Sequence, residues 1–247
     1  MSTGTSLTII TITKDDAVGL ARTLASTECW RNEGWVEQVL VDASTVPAVA
    51  GYQRVRVVRQ SSKGISGAFN EGLAHARGEW VWFLNGGDTI APALDVGFLR
   101  SLLKMSSADA IVGGLIYSGE TEPRPHPALL GCWPPYASWM PHPATLVRRE
   151  VFARAGVFDE RYAIAMDFEW WLRALPEGAR VDLLSVPFAV FASGGLSQRE
   201  NEQSRIALER NDAIRRHGFR AWRGWLAATI RMGKASLRAY FSRRRIQ

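Results

Sequence analysis

The feature that most constrains this chain is the alternation of short β-branched runs with stretches of helical periodicity. Leu7-Thr-Ile-Ile-Thr-Ile-Thr13 is such a run and reads as a buried strand. Asp15 and Asp16 follow as helix N-cap candidates, and Val18, Leu20, Ala21 and Leu24 fit a helical face. Val36 to Val41 and Val55 to Val58 predict two more strands. Ile65, Ala68, Phe69, Gly72, Leu73 and Ala76 then repeat at i, i+3, i+4, i+7, i+8, i+11, a full helical stripe, with Gly78 as its expected stop. Trp80 to Leu84 predicts a fourth strand. Such alternation predicts parallel strands with right-handed crossovers, and ligands at the strands' C-terminal ends. Asp42 and Asn85-Gly-Gly-Asp88 both fall at such ends.

Further along, Ala93 to Met105 predicts a helix and Ala110 to Ile116 a strand. Residues 117–143 hold seven prolines with Trp133 and Trp139, a loop long enough to be functional or mobile. Helices are expected at 149–155 and 167–175, an apolar segment at 181–192 and a polar helix at 197–216. With 247 residues, 47% of them hydrophobic, the chain suits one α/β domain with a C-terminal appendage. No run of about eighteen apolar residues occurs, which excludes a spanning helix. The first residues lack a basic segment followed by an apolar run, so no secretory signal is expected. Two cysteines, Cys29 and Cys132, are too few for a disulfide framework and fit a reducing cytoplasm.

The segment Ser62-Lys-Gly-Ile-Ser-Gly-Ala-Phe-Asn-Glu-Gly72, followed by Gly78-Glu-Trp-Val-Trp-Phe-Leu-Asn-Gly-Gly-Asp88, resembles family 2 glycosyltransferases of the GT-A fold. Members that build bacterial surface polysaccharides and glycolipids show "DKGIYDAMNKG" and "GEYIGFLNSGD" there. Ile10-Thr-Ile-Thr-Lys-Asp15 and Val39-Leu-Val-Asp42 are similar to "TVTKND" and "IVVD". Downstream, His142-Pro-Ala-Thr, Gly156-Val-Phe-Asp-Glu160, Ala165-Met-Asp-Phe-Glu169 and Gly194-Gly-Leu-Ser197 are similar to "HQATF", "GGFDE", "ADYDL" and "GGIS". Order and spacing together, over about residues 7–215, make the likeness specific. It implies a GT-A, Rossmann-like, mostly parallel sheet flanked by helices. Residues 1–90 would form the nucleotide-sugar half and 91–217 the acceptor-side half of one domain, with 218–247 as a separate tail.

A departing sugar leaves charge on the diphosphate of its donor, which a divalent cation neutralises as a Lewis acid. Mg²⁺ and Mn²⁺ favour carboxylate oxygens. Asp88 is the sole carboxylate of its strand-end turn, and Gly86 and Gly87 allow close backbone approach. The alternative is a plain turn leading into the next helix. Many family members carry Asp-x-Asp here; this chain has Asn85 and Gly87 at those two positions and keeps the following Asp88. Metal affinity is therefore expected to be weak until the donor diphosphate supplies ligands.

In the family, the positions of Thr11, Thr13 and Asp42 line the nucleotide pocket; the alternative for Asp42 is a turn-capping role. Lys63 opens a helix whose N–H groups favour an anion, or is simply solvated. Asn85 can bond a ribose or phosphate oxygen. The family's acidic residues on the Lys63 loop are replaced by Ser62 and Gly67, and its tyrosine by Ser66. His142 would orient the acceptor or touch the diphosphate, or lie on the surface between its prolines. An inverting transfer needs a carboxylate to take the acceptor hydroxyl's proton. Asp167 and Glu169 are candidates; two residues apart on a helix they point about 200° apart, so one alone faces the site. The family's base matches Asp167, which could otherwise serve as an N-cap. Trp133 and Trp139 could stack on sugar, whereas Trp80, Trp82, Trp170 and Trp171 fall on core positions.

Ten Lys and Arg, without one Asp or Glu, lie between Ala213 and Gln247; since the whole chain is +6, residues 1–212 carry −4. Basicity thus belongs to the tail, and a nucleic-acid partner is not expected. At about 100° per residue, Arg220, Arg223, Arg231, Lys234 and Arg238 share one face, opposite Trp222, Trp225, Leu226, Met232, Leu237 and Tyr240. That pattern predicts an amphipathic helix over about 219–241, lying on an anionic membrane surface or docked on the body. The expectation is an inverting, divalent-metal-dependent glycosyltransferase. It would use a nucleotide-sugar donor and a lipid-linked or envelope saccharide acceptor at the cytoplasmic face of the plasma membrane. The alternatives are a non-catalytic sugar-nucleotide-binding or scaffold protein and a nucleotidyltransferase.

Overall fold

A computed structural model describes residues 7–47, 52–123 and 140–217. Trp133, Trp139 and the helix expected over 219–241 lie outside them. Eight strands form one sheet: β1 (Leu7–Thr13), β2 (Val36–Asp42), β3 (Val55–Arg59), β4 (Trp80–Phe83), β5 (Thr89–Ile90), β6 (Ala110–Tyr117), β7 (Thr145–Arg148) and β8 (Val181–Phe191), in the order β3-β2-β1-β4-β7-β6-β8-β5. The first four strands are mutually parallel, with Thr13 opposite Asp42 and Asp42 opposite Arg59. Their C-terminal ends therefore share one edge. The chain leaves β1 toward β2 on one side and returns to β4 on the other. This opens the crevice in which open α/β sheets bind ligands.

Among the described residues four of the seven strand pairings are parallel, in keeping with the mostly parallel sheet expected, and the antiparallel ones fall in the second half. β7 runs antiparallel to both β4 and β6, and β5 antiparallel to β8, while β6 and β8 are parallel. Beyond β4 no helical crossover separates every pair of strands, so the alternation that enforces parallel pairing in the first half is lost. β7 was not expected at all, because its four residues directly follow the proline-rich stretch.

Helices α1 (Ala17–Ser26), α2 (Glu28–Asn32), α3 (Gly64–His75), α4 (Val96–Met105), α5 (Arg149–Ala155) and α6 (Met166–Ala174) flank the sheet. The last helix among the described residues, α7, spans 203–217 after two 3₁₀ turns, a later start than the sequence suggested. Asp16 caps α1, accepting from the Gly19 N–H at 2.8 Å. The buried stripe of α1 is Gly19, Leu20, Thr23 and Leu24; Val18 is 72% exposed, contrary to expectation, because the cap sets its side chain on the outer face. α3 buries the stripe read from the sequence. It ends at His75, with Ala76 as its extended cap, so Gly78 is not the helix stop. A Cβ at Gly78 would meet the Thr8 backbone nitrogen at 2.5 Å, and close passage against β1 requires glycine there.

Strand alternation divides the core. Ile10, Val81 and Phe83 face α3, α5 and α6 in a cluster with Phe69, Phe152, Phe158 and Trp170. Leu7, Ile9, Trp80, Trp82 and Leu84 face the other side with Trp30, Trp35, Leu99 and Phe188. Trp80, Trp82, Trp170 and Trp171 are all buried, as their pattern indicated.

Candidate active site

A cavity of about 750 Å³ opens over the C-terminal ends of β1 and β4. One wall is the turn Asn85–Asp88; the others are the start of α3, the entry to α6 and the segment 191–199 that leaves β8. Of the residues singled out from the sequence, Thr13, Lys63, Asn85, Asp88 and His142 line it.

The Asn85–Asp88 turn is pinned from below. Thr23 of α1 donates its hydroxyl toward the Asp88 and Asn85 carbonyls, at 2.7 and 3.1 Å, and accepts from the Gly87 N–H at 2.9 Å. Gly87 sits at φ +102°, a conformation that glycine alone adopts readily. A Cβ at Gly86 would press on the Ile12 carbonyl and Thr13 hydroxyl at 3.2 and 3.3 Å. The Asp88 carboxylate is buried. Oδ1 accepts from the Ala192 N–H at 2.9 Å, which ties the turn to the end of β8, and Oδ2 has no hydrogen-bond partner among the described residues. Burial pushes the Asp88 pKa up to about 6, against the opposing pull of the Ala192 N–H and of nearby His142.

Lys63 is the N-cap of α3, and Gly64 at φ +75° faces open space beside it. Glu71 holds the preceding loop, its carboxylate accepting from the Ser61 and Ser62 N–H groups at 2.9 and 2.6 Å. Lys14, Arg22, Arg59 and Arg199 also line the cavity, as do the carboxylates of Asp16 and Asp88, so cations outnumber carboxylates. Such a surplus suits an anion.

Asp42 and Thr11 stand apart. Asp42 is buried in an Asx turn, Oδ1 accepting from the Ser44 N–H at 2.8 Å and Oδ2 lying 3.6 Å from Arg59; its neighbours Ala43 and Arg59 reach the cavity. Thr11 lies two residues inside β1 and accepts from Gln38 Nε2 at 2.9 Å. It belongs to a buried network with Thr27 and Arg31 and does not line the cavity.

His142 lies on the cavity wall between the turn and α6. Its Nε2 is 3.0 Å from Asn85 Nδ2 and its Nδ1 is 3.5 Å from Asp167 Oδ2. Asp167 occupies the second position of α6, with its side chain 15% exposed, so it is not the N-cap; Ala165 is. The segment leading into α6 is held by Glu209 of α7, whose carboxylate accepts from the N–H groups of Ala163, Ile164 and Ala165 at 3.0, 2.9 and 2.9 Å. Glu169 points the other way, fully buried, with Arg173 at 2.6 Å and His217 Nε2 at 3.0 Å. Its partners mark it as a structural ion pair, which removes it as the alternative base. Thr23, Glu209, Arg22 and Arg199 were missed by sequence reasoning. The Gly194-Gly-Leu-Ser197 motif was the available signal for the 191–199 wall.

The sequence model of the family described as "Glycosyl transferase family 2" matches residues 8–173. An uncharacterized glycosyltransferase of Mycobacterium tuberculosis is 29% identical over 190 residues, covering 70% of each chain. An uncharacterized glycosyltransferase of Bacillus subtilis, EpsJ, is 28% identical over 181 residues, 66% of this chain and 50% of that one. Among solved structures, a fragment of S. aureus TarS in complex with UDP-GlcNAc superposes with a TM-score of 0.62 at 17% identity, over 83% of this chain and 66% of that one. The chain spans 43% of a longer TarS chain. At these identities the TarS likeness shows a shared fold.

Proposed function

Because the chain belongs to glycosyl transferase family 2, we propose that it is an inverting glycosyltransferase that moves a sugar from a nucleotide-sugar donor to a lipid-linked or envelope saccharide acceptor. The observation that carries this reading is a contact series that starts on the cavity wall, Asp88 and Asn85 in one turn, then His142, and runs on to Asp167, which does not itself line the cavity but adjoins the lining residue Met166. A diphosphate site and a general base must be neighbours for a displacement at the anomeric carbon. The sugar nucleotide bound by TarS, which shares this fold, supports the same donor class here.

In this reading the nucleotide lies over the ends of β1 and β2, near Thr13 and the Asp42–Ser44 turn, with Lys63 and Asn85 toward the diphosphate. Thr11 supports β1 from within. Asp167 takes the acceptor hydroxyl's proton as that oxygen attacks the anomeric carbon, and the nucleoside diphosphate leaves from the opposite face. Among the described residues no three His, Cys, Asp or Glu side chains gather into a metal cluster. The unpartnered Oδ2 of Asp88 nevertheless fits a single-carboxylate ligand for Mg²⁺ or Mn²⁺ that arrives with the donor phosphates. There the cation would neutralise charge developing on the diphosphate.

No helix among the described residues is long and apolar enough to cross a membrane. The basic tail is proposed to hold the enzyme peripherally on the cytoplasmic face of the plasma membrane, through anionic lipid. Nucleoside diphosphate release tests the catalytic reading, with uridine, guanosine and thymidine diphosphate sugars as donors and a membrane lipid extract as acceptor. Asp167→Asn should lose about 10²–10⁴ in rate with donor affinity little changed, and Asp88→Ala should abolish metal-stimulated turnover. Wild-type rates in either variant reject the role assigned to that residue.

A further inference from the structure

We propose that His142 is a positioning residue that holds the Asp167 carboxylate through Nδ1–H and couples it to the Asn85–Asp88 turn through Nε2. The inference rests on the reading of Asp167 as the base and adds the group that aims it.

The backbone around His142 is fixed at two points and its ring at a third. The residue opens a 3₁₀ turn (His142–Ala144) between two prolines, directly before β7. The Pro143 carbonyl accepts from Trp82 Nε1 at 2.7 Å, and the Pro141 carbonyl accepts from the Thr145 hydroxyl at 2.8 Å. The imidazole meets the buried Phe69 ring edge-on, with centroids 5.4 Å apart. Core packing therefore sets the ring's place before any substrate arrives.

The hydrogen-bond partner of one ring nitrogen fixes the state of the other. Asn85 Nδ2 is a donor, so Nε2 must accept from it, and the ring proton is left on Nδ1, which faces Asp167. The 3.5 Å separation from Asp167 Oδ2 is long for a hydrogen bond. Contacts of this kind tighten when substrate closes the site. As the amide stands, Asn85 Oδ1 is buried without a hydrogen-bond partner among the described residues. A donor hydroxyl bonded there would fix the Asn85 amide, the His142 ring and the Asp167 carboxylate in sequence.

A double-mutant cycle on the full chain tests this, using the diphosphate-release assay with the sugar-nucleotide panel and lipid extract named above. His142→Phe keeps a ring against Phe69 and removes both nitrogens; His142→Gln returns one donor. The expected result is a loss of about 10–10² in kcat for His142→Phe with donor KM within about twofold, and partial recovery in His142→Gln. In the Asp167→Asn background the same His142→Phe change should cost less than about twofold, because its target is already gone. A substrate-free readout accompanies it: ¹⁵N chemical shifts of His142 should report a protonated Nδ1, and should change in Asp167→Asn. Equal losses in both backgrounds, or ¹⁵N shifts indifferent to Asp167, would overturn the inference while leaving the base assignment intact. An Asp167→Asn enzyme at wild-type rate would instead reject the base assignment and this inference with it.

Discussion

Replacing Glu209 with glutamine or alanine should destabilise the domain by about 2–4 kcal/mol at neutral pH. The Glu209 carboxylate takes three backbone N–H groups ahead of α6, at 3.0, 2.9 and 2.9 Å, and is braced by Arg205 Nε at 3.0 Å. Hydrogen bonds to a charged group contribute about 1.5–3 kcal/mol each when water cannot replace them. Ala165 is buried, so its N–H would be orphaned; Ala163 and Ile164 are only half-buried, and water can serve them at a smaller cost of about 0.5–1 kcal/mol each. The negative charge also sits favourably at a helix N-terminus, worth a further fraction of a kcal/mol. Burial alone would raise the Glu209 pKa, but the three N–H groups and Arg205 overcome it and hold it below the ordinary glutamate range. With the folded pKa depressed, this stabilisation is complete above the unfolded pKa of about 4.3. It is lost as pH falls through the lower folded value. Urea unfolding followed by fluorescence, with ten tryptophans as reporters, should show the full difference between wild type and Glu209→Gln at pH 7 and a shrinking one below pH about 4. A loss under about 0.5 kcal/mol at pH 7, or one that acid does not diminish, would refute the capping argument.

Asp88 should behave in the opposite sense. Its folded pKa of about 6 lies above the usual 3.8, so burial carries no charge penalty at low pH, and one develops as pH rises through 6. In metal-free buffer the stability of Asp88→Asn relative to wild type should therefore rise by about 2–3 kcal/mol between pH 4 and pH 7, as read from paired urea titrations. Gly78→Ala drives a methyl into the β1 backbone and should cost about 1–3 kcal/mol with no change in nucleotide affinity of the folded fraction, checked by thermal melts with and without nucleoside diphosphate. For the tail, flotation with anionic vesicles should carry the full chain upward and leave a chain ending at His217 behind. Equal behaviour of the two chains, or equal binding to neutral vesicles, would remove the tail from membrane attachment.

The first half of the fold was legible because its signals are local. β-branched runs, an Asp cap and a twelve-residue helical stripe each declare themselves within a few residues, and parallel alternation then places strand ends on one edge. Thr13, Lys63, Asn85 and Asp88 follow from that geometry. What failed to show depends on partners distant in sequence. Thr11 has the same side-chain parity as Thr13, but Gln38 on the neighbouring strand claims its hydroxyl. Thr23 reads as a neutral helix residue, yet its hydroxyl meets a turn more than sixty residues away. β7 is four residues after a proline-rich loop, too short to carry a period, and exists because β4 and β6 both pair with it.

The α6 entry shows why a site residue can stay ambiguous until the fold is known. In the sequence, an acidic residue at the start of an apolar helix has two duties open to it, capping and chemistry, and spacing cannot choose between Asp167 and Glu169. In the structure the N–H groups leading into the helix go to Glu209, 44 residues beyond Ala165. It also closes Glu169 into an ion pair with Arg173. Asp167 Oδ1 accepts from the adjacent Phe168 N–H at 2.7 Å, while Oδ2 faces His142. Asp167 thus serves one first-turn N–H with Oδ1 and keeps Oδ2 toward His142. Glu209 meanwhile holds the three N–H groups that precede the first turn, Ala163 to Ala165. The same arrangement makes the orientation of the proposed base depend on α7, the helix that leads directly into the basic tail.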